Sequence, residues 1–211
     1  MSPARCRQIF IHLRAANPQP RGELLFNTPF QLLIAVILSA QATDKSVNLA
    51  THELFRRAPT PQAMLELGLA GLQPYIRTIG LHNAKARNIL ATCRLLLEQH
   101  GGEVPRDRTA LEQLPGVGRK TANVVLNSAF GEPTLAVDTH VFRVAHRTGL
   151  ADGKTPRAVE DRLLRIIPRE FLQDAHHWLI LLGRYVCKAR APQCPLCPIL
   201  RWCEYQNKTE P

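Results

Sequence analysis

Leu114-Pro115-Gly116-Val117-Gly118-Arg119-Lys120-Thr121-Ala122 lies between two helical segments, and its reading decides the fold. Ahead of it, Thr109 with Glu112 three residues later has the form of a capping box and opens a short helix. Behind it, Val124, Val125 and Leu126 continue a second helix from about Arg119 to Phe130. Two glycines in so short a turn let the backbone approach something outside the chain. The unsatisfied amides at the start of the second helix favour an anion such as a phosphate. Gly116, Val117, Gly118 and Arg119 are therefore candidate phosphate-backbone contacts. A plain helix–helix turn has the same pattern. Lys120 stands in the first turn of the second helix. The positive helix end, the neighbouring Arg119 and burial would each favour a neutral amine there. A neutral amine can attack an electrophilic carbon and form a Schiff base. A second phosphate-binding lysine is the other reading.

Outward from this hairpin the chain reads as helix after helix. Thr28-Pro29, Thr60-Pro61 and Thr155-Pro156 pair an N-cap threonine with proline at the first helical position. Gln31 completes a capping box with Thr28. Gly80, Gly101, Gly131 and Gly149 each follow an apolar-periodic stretch and suit a left-handed helix end. Ile89, Leu90, Cys93, Leu96 and Leu97 recur at helical steps, as do Phe171, Ala175, Trp178, Leu179 and Leu182. No sustained alternation and no Asn-Gly hairpin occurs, so the fold class is all-α. The Gly131–Pro133 break and the Pro18–Gly22 stretch mark boundaries. They give a central helical domain over 23–132 that carries the hairpin. A second domain is made of 1–22 and 133–211.

Lysine and arginine total 27 against 17 acids, and a net charge of +10 favours a polyanionic partner. The N-terminal stretch lacks a continuous apolar h-region, and no run of about 18 apolar residues occurs, so a cytoplasmic location without membrane insertion is expected. With no heptad seam, a monomer is expected. A cytoplasmic protein keeps its thiols reduced, which turns attention from disulfides to metal.

Cys187, Cys194, Cys197 and Cys203 have six, two and five residues between neighbours, with Pro192, Pro195 and Pro198 among them. Four-cysteine zinc sites are usually built from two Cys-x2-Cys knuckles, and only one such pair occurs here. A [4Fe–4S] cluster needs four thiolates and tolerates uneven spacing. The spacing favours iron–sulfur and leaves zinc open. Cys93 reads as core, and Cys6 carries no signal. Asp138, in Ala136-Val137-Asp138-Thr139-His140, is placed to cap the next helix. A carboxylate of this kind can also stabilise developing positive charge or assist proton transfer.

These residues together resemble a known family. The 114–122 hairpin, Val137-Asp-Thr-His-Val141, the cysteine spacing and Leu38-Ser-Ala-Gln-Ala-Thr-Asp44 are similar to the endonuclease III branch of the helix–hairpin–helix DNA glycosylases. The blocks run from the N-terminal third to the C-terminus. The resemblance implies two α-helical domains with a DNA-binding cleft between them, and a [4Fe–4S] cluster on Cys187, Cys194, Cys197 and Cys203 within the loop 187–203. The partner it implies is damaged double-stranded DNA carrying oxidised pyrimidines such as thymine glycol, with the damaged nucleotide flipped out of the stack. It also implies that Gln41 and Leu81 fill or wedge the gap, that His140, Lys188 and Arg190 contact DNA, and that Lys120 and Asp138 are catalytic. Lys120 would attack C1′ while Asp138 stabilises the charge on the sugar, and β-elimination would then break the strand. Relatives that remove adenine from mismatches typically lack a lysine at the position of Lys120. A non-catalytic, redox-sensing DNA-binding module, or a zinc-stabilised one, would account for the charge and the cysteines but not for Lys120 with Asp138.

Overall fold

Helix starts in this chain are set by short polar side chains. In the computed structural model, which describes residues 1–209, Thr28 accepts the amide of Gln31, Thr60 that of Ala63 and Thr155 that of Ala158, each at 3.2 Å. Proline follows each threonine inside the first turn. Ten α-helices occur among the described residues: α1 Pro3–Ala16, α2 Pro29–Ser39, α3 Asp44–Arg57, α4 Pro61–Ile76, α5 His82–His100, α6 Arg108–Glu112, α7 Arg119–Phe130, α8 Thr139–Thr148, α9 Pro156–Ile166 and α10 Arg169–Tyr185. No strand occurs among the described residues, and the fold is all-α. No described helix is long and apolar enough to cross a membrane.

Three expectations need correction. The box at Thr28 is shifted by one: the Gln31 side chain accepts the amide of Asn27, at 2.8 Å, not that of the cap residue. α6 is capped by Asp107 and not by Thr109, which lies inside the helix. The Asp107 carboxylate accepts the Ala110 amide at 2.8 Å. An aspartate two residues upstream offers a charged acceptor to the same helix start, and it wins. Gly80 does not hold the left-handed position after α4. Leu81 does, with φ 61°, while Gly101, Gly131 and Gly149 take φ of 59°, 71° and 75° as expected. α4 is interrupted at Gly68, whose φ of 65° and ψ of 179° fall outside the helical region.

The chain forms two compact units. Glu23–Gly131 is continuous and contains α2 to α7. Its centre is α2, buried from Phe30 to Leu38 on every side, as its unbroken apolar run requires. Leu33, Ile34 and Leu38 belong to one core with Leu54, Met64, Leu72, Ile76, Ile89, Cys93 and Val125. Burying each leucine or isoleucine is worth about 1.5–3 kcal/mol. Burial pushes the Cys93 thiol up to about 12, so it is an apolar core group.

The other unit joins Met1–Gly22 to the chain from Glu132 onward. Phe10 of α1 stacks on Phe171 of α10 at 5.7 Å, and Trp178 meets the Phe171 ring edge-on at 6.1 Å. The Trp178 indole donates to the carbonyl of Asn17 at 2.8 Å. Cys6 is fully buried in the same core. α8 and α10 approach closely at Gly183, where a Cβ would stand 2.8 Å from that of His140. A substitution at Gly183 would therefore push apart the helix that Asp138 begins.

Candidate active site and nucleic-acid interface

In the continuous unit, the hairpin is anchored by Leu111, Leu114 and Val117, all buried. The Val117 amide donates to Leu114 O at 3.0 Å, and the Thr92 hydroxyl of α5 donates to Pro115 O at 3.0 Å. The two glycines differ in their reasons. Gly116 has φ 81°, and a Cβ there would press to 3.1 Å from the Asn88 side-chain nitrogen and 3.4 Å from Ile37. The fold itself demands this glycine. Gly118 is extended, with φ −95° and ψ 178°, and its Cβ would meet nothing within 4 Å. The folded chain gives no steric reason for glycine here.

α7 begins at this point with no side-chain cap and no acidic residue in its first turn. Its uncapped start, Arg119 and Lys120 together make a positive edge. Lys120 is exposed and makes no hydrogen bond or ion pair among the described residues. The burial expected for it is not met by the free chain. In sequence it stands between buried Val117 and buried Ala122, and it is not part of the core.

Two further turns in this unit carry non-glycine residues in the left-handed region: Gln41 at φ 56° and Leu81 at φ 61°. Each conformation costs about 1–2 kcal/mol. The turns are neighbours, since a Cβ on Gly80 would stand 3.8 Å from the carbonyl oxygen of Gln41. Leu81 is 60% exposed and takes no part in the core, and Gln41 is exposed beside it. Both turns thus hold an exposed side chain on a backbone conformation that L residues rarely adopt.

In the other unit, Asp138 caps α8. Its Oδ1 accepts the amides of His140 at 2.9 Å and Val141 at 2.8 Å. No hydrogen bond reaches Oδ2 among the described residues, so one oxygen serves the helix and the other is open. Arg143 Nη2 stands 3.2 Å from His140 Nδ1. A guanidinium only donates, so Nδ1 accepts and the ring proton sits on Nε2.

Beyond α10 the chain runs through Cys187, Cys194, Cys197 and Cys203, with single 3-10 turns at Cys194–Leu196 and Leu200–Trp202. All four thiols are free and half-buried. Burial pushes Cys197 up to about 11, and the other three cysteines push it the same way, so the four sulfurs share one electrostatic neighbourhood. Among the described residues, no three Cys, His, Asp or Glu side chains gather closely enough to hold one ion. Lys188 and Arg190 are exposed on the loop, next to Ala191 at φ 47°.

Residues 34–169 match the HhH-GPD superfamily of base excision DNA repair proteins. The chain is 61% identical over its full length, and theirs, to the endonuclease III of Escherichia coli K12 and to that of Haemophilus influenzae. The chain belongs to the endonuclease III family. Among solved structures it is similar to an endonuclease III–DNA covalent intermediate, at TM-score 0.90 and 47% identity, over 96% of each chain. A non-covalent endonuclease III–DNA complex matches equally well, covering 96% of this chain and 95% of that one.

Within this endonuclease III family member, sequence reading missed two arginines that hold the cysteine loop. Arg143 Nε donates to Cys187 O at 3.0 Å, and its Nη2 donates to Gly183 O at 2.8 Å. Arg147 donates to Lys188 O at 2.7 Å and Ala189 O at 3.0 Å, and stands over the Tyr205 ring at 4.5 Å. The one available signal was their four-residue spacing, which puts both on a single face of α8.

Proposed function

We propose that this base-excision repair protein is a bifunctional DNA glycosylase and abasic-site lyase that acts on oxidised pyrimidines in duplex DNA, with Lys120 as nucleophile. The observation that carries the reading is Lys120 itself. It is an exposed, unpartnered lysine at the uncapped positive start of α7, directly after a glycine that the fold does not require. The amine lone pair of Lys120 attacks C1′ of the flipped nucleotide. The C1′–N bond breaks, and its electron pair leaves with the base, which takes up a proton. Asp138, whose second carboxylate oxygen is not used by the helix cap, is proposed to stabilise the positive charge that develops on the sugar. Opening of the sugar ring gives the Schiff base. Loss of a C2′ proton then expels the 3′ phosphate, and hydrolysis of the imine returns the lysine.

Gln41 and Leu81 are proposed to occupy the gap left by the flipped nucleotide, and their exposed, strained turns support this. The hairpin amides, Lys188 and Arg190 are proposed to hold phosphates, and His140 is proposed to contact DNA through its Nε2 proton. The four cysteines are proposed to hold a [4Fe–4S] cluster. A single zinc would need all four sulfurs at about 2.3 Å from one point, whereas a four-iron cluster takes one thiolate at each iron. Free, half-buried, mutually interacting thiols fit the second arrangement. Bound there, the cluster supplies a rigid four-point anchor for the loop.

Borohydride trapping on a duplex with one thymine glycol tests the reaction. A covalent adduct is expected with the damaged and the abasic duplex and not with the undamaged one. Trapping at the abasic site alone would remove the base specificity, and no trapping would remove the lyase. Salt dependence of duplex binding checks the phosphate contacts. Replacing Lys188 and Arg190 together by alanine should lower the slope of log K against log salt by about 2. Gly118→Val should weaken binding without lowering the melting temperature. An unchanged slope, or a Gly118→Val protein that binds normally, would show that these groups do not touch the backbone.

A further inference from the structure

Lys85 is 5% exposed, an unusual place for an ammonium, and the chemistry proposed above makes no use of it. It sits in the first turn of α5 with Ala86 and Ile89 in the core beside it. Burial pushes its ammonium below the usual lysine range. Among the described residues no carboxylate pairs with the charge. The Nζ donates instead to two carbonyls at the end of α2, Leu38 O at 2.8 Å and Ala40 O at 2.5 Å. α2 has no basic residue in its own last turn, so Lys85 is the cation at its negative pole.

What Lys85 grips matters more than the charge it neutralises. Ala40 immediately precedes Gln41, the first of the two left-handed residues. The backbone amide of Lys85 donates to the carbonyl of Leu81, the second, at 3.0 Å. One residue thus holds both turns, through its ammonium on one side and its amide on the other. An apolar residue would pack here at no cost in buried charge. An ammonium is the group that can bind two helix-end carbonyls at once and fix where the following residue leaves the helix.

We propose that Lys85 is a positioning residue that locks the Gln41 and Leu81 turns into one rigid unit, so that both side chains enter the base stack together. The proposal rests on the gap-filling role assigned above to Gln41 and Leu81. It locates the preorganisation of that step in a side chain that touches no DNA. Without the ammonium, each turn can relax separately from its left-handed conformation, and opening of the duplex loses its coordination. Cleavage of an abasic site with no opposite strand to part does not depend on that coordination.

The test compares Lys85→Met with the unaltered protein in single-turnover assays on two substrates, a thymine glycol duplex and a single-stranded abasic oligonucleotide. We expect a loss of at least tenfold on the duplex and less than threefold on the single strand. Adding Gln41→Ala to Lys85→Met should then cost little more than Lys85→Met alone, because residues acting as a unit are not additive. Equal losses on both substrates, or full additivity with Gln41→Ala, would overturn the proposal. If circular dichroism shows that Lys85→Met is not folded, Lys85→Gln, which keeps one donor, is measured by the same two ratios. If the unaltered protein leaves thymine glycol in place, the substrate reading fails instead, a result distinct from a uniform loss in the variant.

Discussion

Lys120→Gln is expected to give no borohydride-trapped adduct and to lower strand cleavage at an abasic site by at least about 10³-fold, the scale of removing a nucleophile. Glutamine has a similar reach but no amine lone pair to attack C1′. The exposure of Lys120 sharpens the test. The side chain has no partner among the described residues, so its replacement should change stability by no more than about 0.5 kcal/mol. Activity and melting temperature are therefore expected to separate cleanly. Binding to an abasic duplex should persist, weakened by the loss of one charge. A Lys120→Gln protein that still formed the adduct would assign the chemistry to another amine.

Asp138→Asn is expected to lower removal of the damaged base by about 10² to 10³-fold, the usual loss when charge stabilisation at a transition state is removed. Asparagine caps a helix about as well as aspartate, and its single carbonyl oxygen can take both amides now held by Oδ1. The helix should stay capped while the open oxygen is replaced by an uncharged NH₂. Cleavage at an abasic site formed in advance should fall much less, because no base has to depart there. Equal losses in the two assays would place Asp138 in a later step. Asp138→Ala would confound the two roles, since it removes the cap as well.

Several features were legible in the sequence because they follow from local chemistry. Thr28, Thr60 and Thr155 cap their helices since hydroxyl, proline and helix start lie within four residues of one another. Asp138 could be assigned to its cap for the same reason. Local reading failed where two nearby groups competed. Asp107 took the cap from Thr109, and a pattern search that allows either residue cannot rank them. It failed again at Leu81, where glycine was the cheaper left-handed residue and stood one position earlier. Propensity favoured Gly80, and the strained leucine is explained only by what it presents. Lys85, Arg143 and Arg147 were missed because their acceptors are backbone carbonyls about 40 or more residues away in sequence. Carbonyls leave no mark in a sequence.

The unit that holds the cysteines is assembled from both sides of the other one. During synthesis α1 leaves the ribosome about 160 residues before Phe171 does, a wait of roughly 8–30 s at ordinary elongation rates. Glu23–Gly131 is contiguous and has its whole core available before that wait ends. Through that interval Ile9, Phe10 and Leu13 have no native partner, because their aromatic neighbours are still being made. The nascent chain therefore carries an uncovered apolar stripe on α1. The cysteine loop follows the hairpin-bearing half in the chain, so its four thiols come together only once that half is already finished.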